Sequence, residues 1–270
     1  MIAALRYEWV RIRTIRSTWW LSAIALAFGV GLSALAAFGT SVAFDSAHPP
    51  RGSDIHHMGQ AIATQFAVFG APYFVAYILA MVGVFAWGHE YRHGMIRATL
   101  TALSSRPGAW LAKYVVVGLW VLAVALVTML GATFMGWLWL HDNGVSFWTS
   151  AVAAAIARTL VYTLVFTWIA TAFTALVRNQ TAALVLLFLW PLAVENVFSL
   201  IFQLVPGLRS HQSLTRFLPF SAGDRIVESM RVGHSIFGNP LTLWGGLVIF
   251  GGVTVVAMVL SLALFRSRDA

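Results

Sequence analysis

From Gly59 to Gly88, and again from Tyr114 to Leu140, the chain carries no charged side chain. At 1.5 Å of rise per residue each run is long enough to cross the ~30 Å hydrocarbon core of a bilayer as a helix. Similar runs recur along the sequence, so the backbone has to close its own hydrogen bonds, and an all-α polytopic membrane protein is expected. Composition agrees, because 10% charged residues against 60% hydrophobic ones, with a mean hydropathy of +0.82, cannot clothe a soluble globule. Cysteine is absent, which excludes disulfides, thiolate metal sites and cysteine nucleophiles. The net charge of +8 comes from arginine and one lysine, Lys113. In so apolar a chain this charge reads as orientation and attraction to anionic lipid rather than nucleic-acid binding.

The expected organisation is a single membrane domain over 1–270. Residues 1–18 read as an interfacial helix, with Leu5, Trp9 and Ile12 on the apolar side and Arg6, Arg11, Arg13 and Arg16 among lipid phosphates. Arg6, Trp9, Arg13, Arg16, Trp19 and Trp20 are the expected anchors. No short apolar core with a small-residue cleavage site follows, so this segment is expected to be retained. Spans are predicted at about 19–44, 61–87, 114–140, 148–177, 181–200 and 241–265. A polar loop over 88–113 separates the second and third, and a longer connection over 206–240 precedes the last. In that connection Ser221-x-x-Asp224 is placed to cap a short helix carrying Ile226, Val227, Met230 and Phe237.

Six spans put both termini on one side. With that side cytoplasmic, Arg6, Arg11, Arg13, Arg16, Arg92, Arg97, Arg106, Lys113, Arg178, Arg266 and Arg268 are inside, and Arg51, Arg209, Arg216, Arg225 and Arg231 are outside. The asymmetry makes the 88–113 loop cytoplasmic.

Two constellations stand out by their chemistry. His89-Glu90-Tyr91-Arg92-His93 matches the zinc-protease spacing, in which two histidines one helical turn apart bind the metal and the glutamate serves as general base. An intramembrane zinc protease using His89 and His93 is therefore one alternative, and a non-catalytic membrane scaffold is another. The second constellation is Arg158 and Glu195, ionisable groups inside apolar spans. Counted from Arg178 they rise about 30 Å and 25 Å along adjacent helices, so they are expected at one height, where either pairing offsets their burial or each snorkels independently to the outer surface.

Glu90-Tyr91-Arg92-x-Gly94-Met95-Ile96, followed by Leu100, Ser105-Arg106-Pro107 and Lys113, resembles the cytoplasmic loop of type 2 ABC transporter permeases. The Arg16-Ser17-Thr18-Trp19-Trp20 entry, the six spans and the long outer connection are similar to that family over nearly the whole length, with Met95 standing where threonine is usual. The resemblance implies a cytoplasmic coupling helix between spans two and three, seated on an ATPase, with Glu90, Tyr91, Arg92, Gly94 and Arg97 in contact and Arg178 nearby. It further implies an exporter of amphipathic substrates such as drugs, antibiotics, peptides or lipids, in a bacterial cytoplasmic membrane with both termini inside. A separate ABC ATPase would hold ATP and magnesium, this chain itself binding no cofactor, and a second permease chain, identical or related, would complete the assembly. No phosphate-binding loop exists here to hydrolyse ATP, since Lys113 lies between Ala112 and Tyr114.

Overall fold

The structure is a computed structural model that describes residues 1–46, 54–67, 74–96, 106–143, 145–228 and 241–268. Helix α1 (Ile2–Thr14) ends where Ile15 turns extended, and α2 (Arg16–Ser46) starts immediately after it. The chain continues with α3 (Asp54–Ala67), α4 (Ala76–Arg92), α5 (Arg106–Leu140) and α6 (Ser150–Val177). Then follow α7 (Gln180–Leu189), α8 (Glu195–Leu204), α9 (Pro219–Glu228) and α10 (Leu243–Arg268). Described residues form no strand. Among the described residues, five helical stretches are long and apolar enough to cross a membrane: Arg16–Val42, Arg106–Asn143, Ser150–Val177, Gln180–Leu204 and Leu243–Ser267. This is the architecture of a multi-pass membrane protein.

Within the stretch expected as one span over 61–87, the described residues are the end of α3, up to Ala67, and α4 from Ala76, both lying beside α2. Phe66 of α3 accepts a hydrogen bond from Ser33 Oγ through its carbonyl at 3.3 Å, while Val75, just ahead of α4, lies against Gly29 one turn further down α2. Pro72, expected near the outer end of that span, falls outside the described residues.

Helix α4 is the centre of the bundle, in contact with α2, α5, α6 and α7. Its small residues explain how. A methyl group added at Gly83 would sit 2.3 Å from Thr171 Oγ1 and 3.0 Å from the Thr167 carbonyl, so α6 approaches α4 more closely than any side chain there permits. The facing side of α6 is a ladder of Thr159, Thr163, Thr167, Thr171 and Thr174, all fully buried. Each hydroxyl donates to a carbonyl one turn back in its own helix, at 2.7–3.0 Å, so the ladder is polar in composition and satisfied in fact.

The break between α7 and α8 follows from Pro191, which has no N–H to donate into the helix ladder. The backbone widens into a π turn over Trp190–Val194, and the Glu195 N–H reaches the Trp190 carbonyl five residues back. Asn196 Nδ2 donates to the Pro191 and Leu192 carbonyls at 3.2 and 2.9 Å, taking up acceptors that the turn releases.

The bundle has two distinct ends. At one end α1, the C-termini of α4, α6 and α10 and the N-termini of α5 and α7 meet. Trp87 of α4 lies edge-on to Phe265 of α10 at 5.2 Å, and Trp110 of α5 donates to Ser261 Oγ at 3.1 Å. At the opposite end α3 packs with the α5–α6 connection through Phe66, Leu140, Val145 and Phe147, and α9 packs on α10.

Candidate functional site

Helix α1 is expected to turn Leu5, Trp9 and Ile12 toward the acyl boundary, and the face it turns into the protein is Ala4, Glu8 and Ile12. Trp9 is exposed and meets Trp120 edge-on at 6.1 Å, Trp19 doing the same at 5.1 Å. Arg6, Arg13, Arg16, Trp19 and Trp20 are exposed as well, with the Arg13 guanidinium 6.0 Å over the Trp9 ring. Arg11 departs from the expected pattern. Its side chain is 11% exposed and points into the protein rather than toward lipid.

The inward turn of Glu8 and Arg11 completes a buried four-charge cluster. Lys113 Nζ donates to Glu8 Oε1 at 2.7 Å, to Glu90 Oε1 at 2.8 Å and to the Ala86 carbonyl at 3.2 Å, which uses all three of its hydrogens. Arg11 Nη1 donates to Glu8 Oε2 at 3.0 Å and also to Glu90 Oε1, and Arg11 Nη2 joins Lys113 on the Ala86 carbonyl. The ammonium of Lys113 lies 4.6 Å from the centre of the Trp87 ring, so its remaining side is covered by a π face. Glu90 and Lys113 are each 1% exposed and Glu8 is 4%. Two anions and two cations sum to zero, which is the condition for burying them together, and their hydrogen bonds pin α1, α4 and α5 to one another.

Glu90, which the resemblance would have offer its carboxylate to a partner, is instead consumed inside the chain. Exposed at this end are Arg92, His93, Gly94 and Met95, where α4 stops. Gly94 takes φ +63°, and the N–H groups of Gly94 and Met95 turn back to the carbonyls of Tyr91 and Glu90. This is a helix stop in which only a residue tolerant of the left-handed region fits. Tyr91 stacks on Trp87 at 6.0 Å and carries the Arg178 guanidinium at 5.8 Å, so the end of α4 and the α6–α7 turn are adjacent. Arg178 itself has φ +58° and caps α6 through its N–H to the Thr174 carbonyl. Arg97 and the rest of 97–105 lie outside the described residues.

The zinc pattern does not assemble. His89 and His93 lie on one side of α4 with ring centres 6.4 Å apart, but Glu90 is held by Lys113 and Arg11 and is not free to act as a base. No group of three metal-ligating side chains forms among the described residues. The His89 ring, beyond the end of the expected span, stacks on Phe85 at 5.1 Å. Burial first, then the positive charge of Arg11, holds its pKa below the ordinary histidine value.

Glu195 also finds a different use. It is 3% exposed, and its carboxylate accepts from Phe220 N–H at 2.9 Å, Ser221 N–H at 2.7 Å and Ser221 Oγ at 2.7 Å. The carboxylate expected to be held by Arg158 is thus a remote cap on the first turn of α9, in place of the local Ser221-x-x-Asp224 cap. Arg158 is half-buried on α6. Ile226 and Val227 are buried as expected, and Met230 and Phe237 fall outside the described residues.

Glu8 is the member of the cluster that sequence reasoning misses, although a signal exists. It is the only acidic residue before Asp45, one turn after Ala4 and one before Ile12, in a segment otherwise rich in arginine. Compared with known proteins, the sequence matches no protein-family model and no curated protein.

Proposed function

We propose that this chain is the membrane-spanning subunit of an ATP-driven exporter of the type 2 ABC class, taking its energy from a separate ATPase chain and working beside a second permease chain. In this reading α3 and α4 together make a sixth crossing, both termini are cytoplasmic, and the end of the bundle holding the charge cluster faces the ATPase of a bacterial cytoplasmic membrane. The positive-inside asymmetry of the sequence supports that orientation. The amphipathic cargo is an implication of the family resemblance alone, since fold does not specify cargo.

The observation that carries the proposal is the cluster of Glu8, Arg11, Glu90 and Lys113. A loop that merely reverses the chain needs no buried ion network at its roots. Here the two helices that carry the 93–105 segment are locked to each other and to α1 by charges that can separate only at high cost, so a push on the segment moves three helices together. A partner would meet Arg92, His93 and Met95, a cation beside an exposed apolar side chain.

The test is purification from native membranes with associated chains. Wild type is expected to bring down a chain with a phosphate-binding loop and to hydrolyse ATP, and Arg92→Glu to lose both while its melting temperature stays within a few degrees. Wild-type material that carries no such chain under mild detergent contradicts the proposal.

A further inference from the structure

At the end of the bundle opposite the charge cluster, a cavity of about 260 Å³ lies between the α7–α8 break, α9 and the aromatic core. That is far more than the ~10–15 Å³ needed to hold one water. Pro191 and Leu192 of the π turn form one wall, and Leu192 is itself 55% exposed, so the cavity opens onto the apolar flank of the helix pair. Polar side chains line much of the rest, with Ser199, Arg216 and Arg225 among them.

The charges in this cavity are not equivalent. Glu195 is spent on the first turn of α9 through three hydrogen bonds, and Asp224 accepts from Tyr162 Oη at 3.3 Å. Arg216, by contrast, rests its guanidinium 4.9 Å from the Phe217 ring centre, and its buried Nε has no hydrogen-bond partner among the described residues. A guanidinium held by an aromatic face, with a donor left over, is arranged to receive an oxyanion. The π turn that opens this wall is a distortion that recurs at ligand sites. Polar walls with an arginine at one side and an apolar exit at the other fit a molecule with an anionic head and a hydrocarbon tail.

We infer that this cavity binds the phosphate headgroup of a membrane amphiphile, with Arg216 as the primary contact and the hydrocarbon leaving past Leu192. The inference rests on the chain lying in a membrane and goes beyond the ATP-driven reading, so either can fail without the other.

The experiment titrates the detergent-solubilised full chain with dihexanoyl phosphatidylglycerol, with dihexanoylglycerol, which lacks the phosphate, and with inorganic phosphate, counting bound molecules by native mass spectrometry. Saturable binding of one phosphatidylglycerol is expected, with dihexanoylglycerol much weaker. Arg216→Gln should weaken it about tenfold or more, the loss of a charge-assisted hydrogen bond. Ser199→Trp, which fills the cavity from its α8 wall and leaves the Arg216 side chain in place, should abolish it. Competition by millimolar inorganic phosphate would identify free phosphate as a sufficient ligand, and failure to compete would identify the lipid headgroup as the source; both keep the anion site. Equal binding of dihexanoylglycerol, or phosphatidylglycerol affinity that survives Ser199→Trp, overturns the inference. Should Arg216→Gln not fold, Ser199→Trp decides alone.

Discussion

Removing one member of the Glu8, Arg11, Glu90 and Lys113 set leaves an excess charge with almost no access to water. Glu90→Gln leaves two cations with one anion, and Lys113→Met the reverse. Each should cost about 3–5 kcal/mol, the usual penalty for breaking a buried pair. The double variant restores neutrality, with Glu8 still paired to Arg11, and should cost well under the sum of the two. Melting curves in detergent measure this, and strict additivity would show that the four groups do not act as a unit. His89 gives a second, independent reading. Its pKa is depressed in the folded chain, so below the ordinary histidine pKa the unfolded state takes up the proton first. Stability should fall as pH drops through that window and stay flat above it, and His89→Phe should flatten the acid side relative to wild type. An identical acid slope in the variant would remove His89 from the account.

The way α4 is enclosed turns on the absence of a side chain at Gly83. Gly83→Ala should destabilise by about 1–3 kcal/mol, because the added methyl meets Thr171 Oγ1 and a backbone carbonyl that cannot move away. Thr171→Ala alone should cost little, since its hydroxyl bonds only within its own helix, and in combination it should recover part of the Gly83→Ala loss. No recovery would mean that α4 and α6 do not touch at this point. Most of the long elements are legible in the amino-acid pattern alone, because an apolar run bounded by arginines can be satisfied only as a helix in a bilayer. The inward face of α1 is not. Apolar periodicity points Leu5 and Trp9 at lipid and is silent on Glu8, which is buried because Lys113, over a hundred residues away, neutralises it. Glu90 and Glu195 show the same limit, since their residue types and positions mark both as unusual but say nothing of the distant partners that absorb them.

Across the whole molecule, the two ends have different chemistry. One end ties α1, α4 and α5 together through buried charges and exposes Arg92, His93 and Met95; the other holds a polar cavity behind a π turn. Between the two ends runs the central α4, packed on the satisfied threonine ladder of α6. The most direct test of that division is photo-cross-linking in native membranes from a benzoylphenylalanine placed at Met95, beside the helix stop, or at Ser210, in the exposed turn of the opposite end. The account predicts an ATP-hydrolysing chain cross-linked from Met95 and not from Ser210. Adducts with such a chain from Ser210 alone, or from neither position, would contradict it.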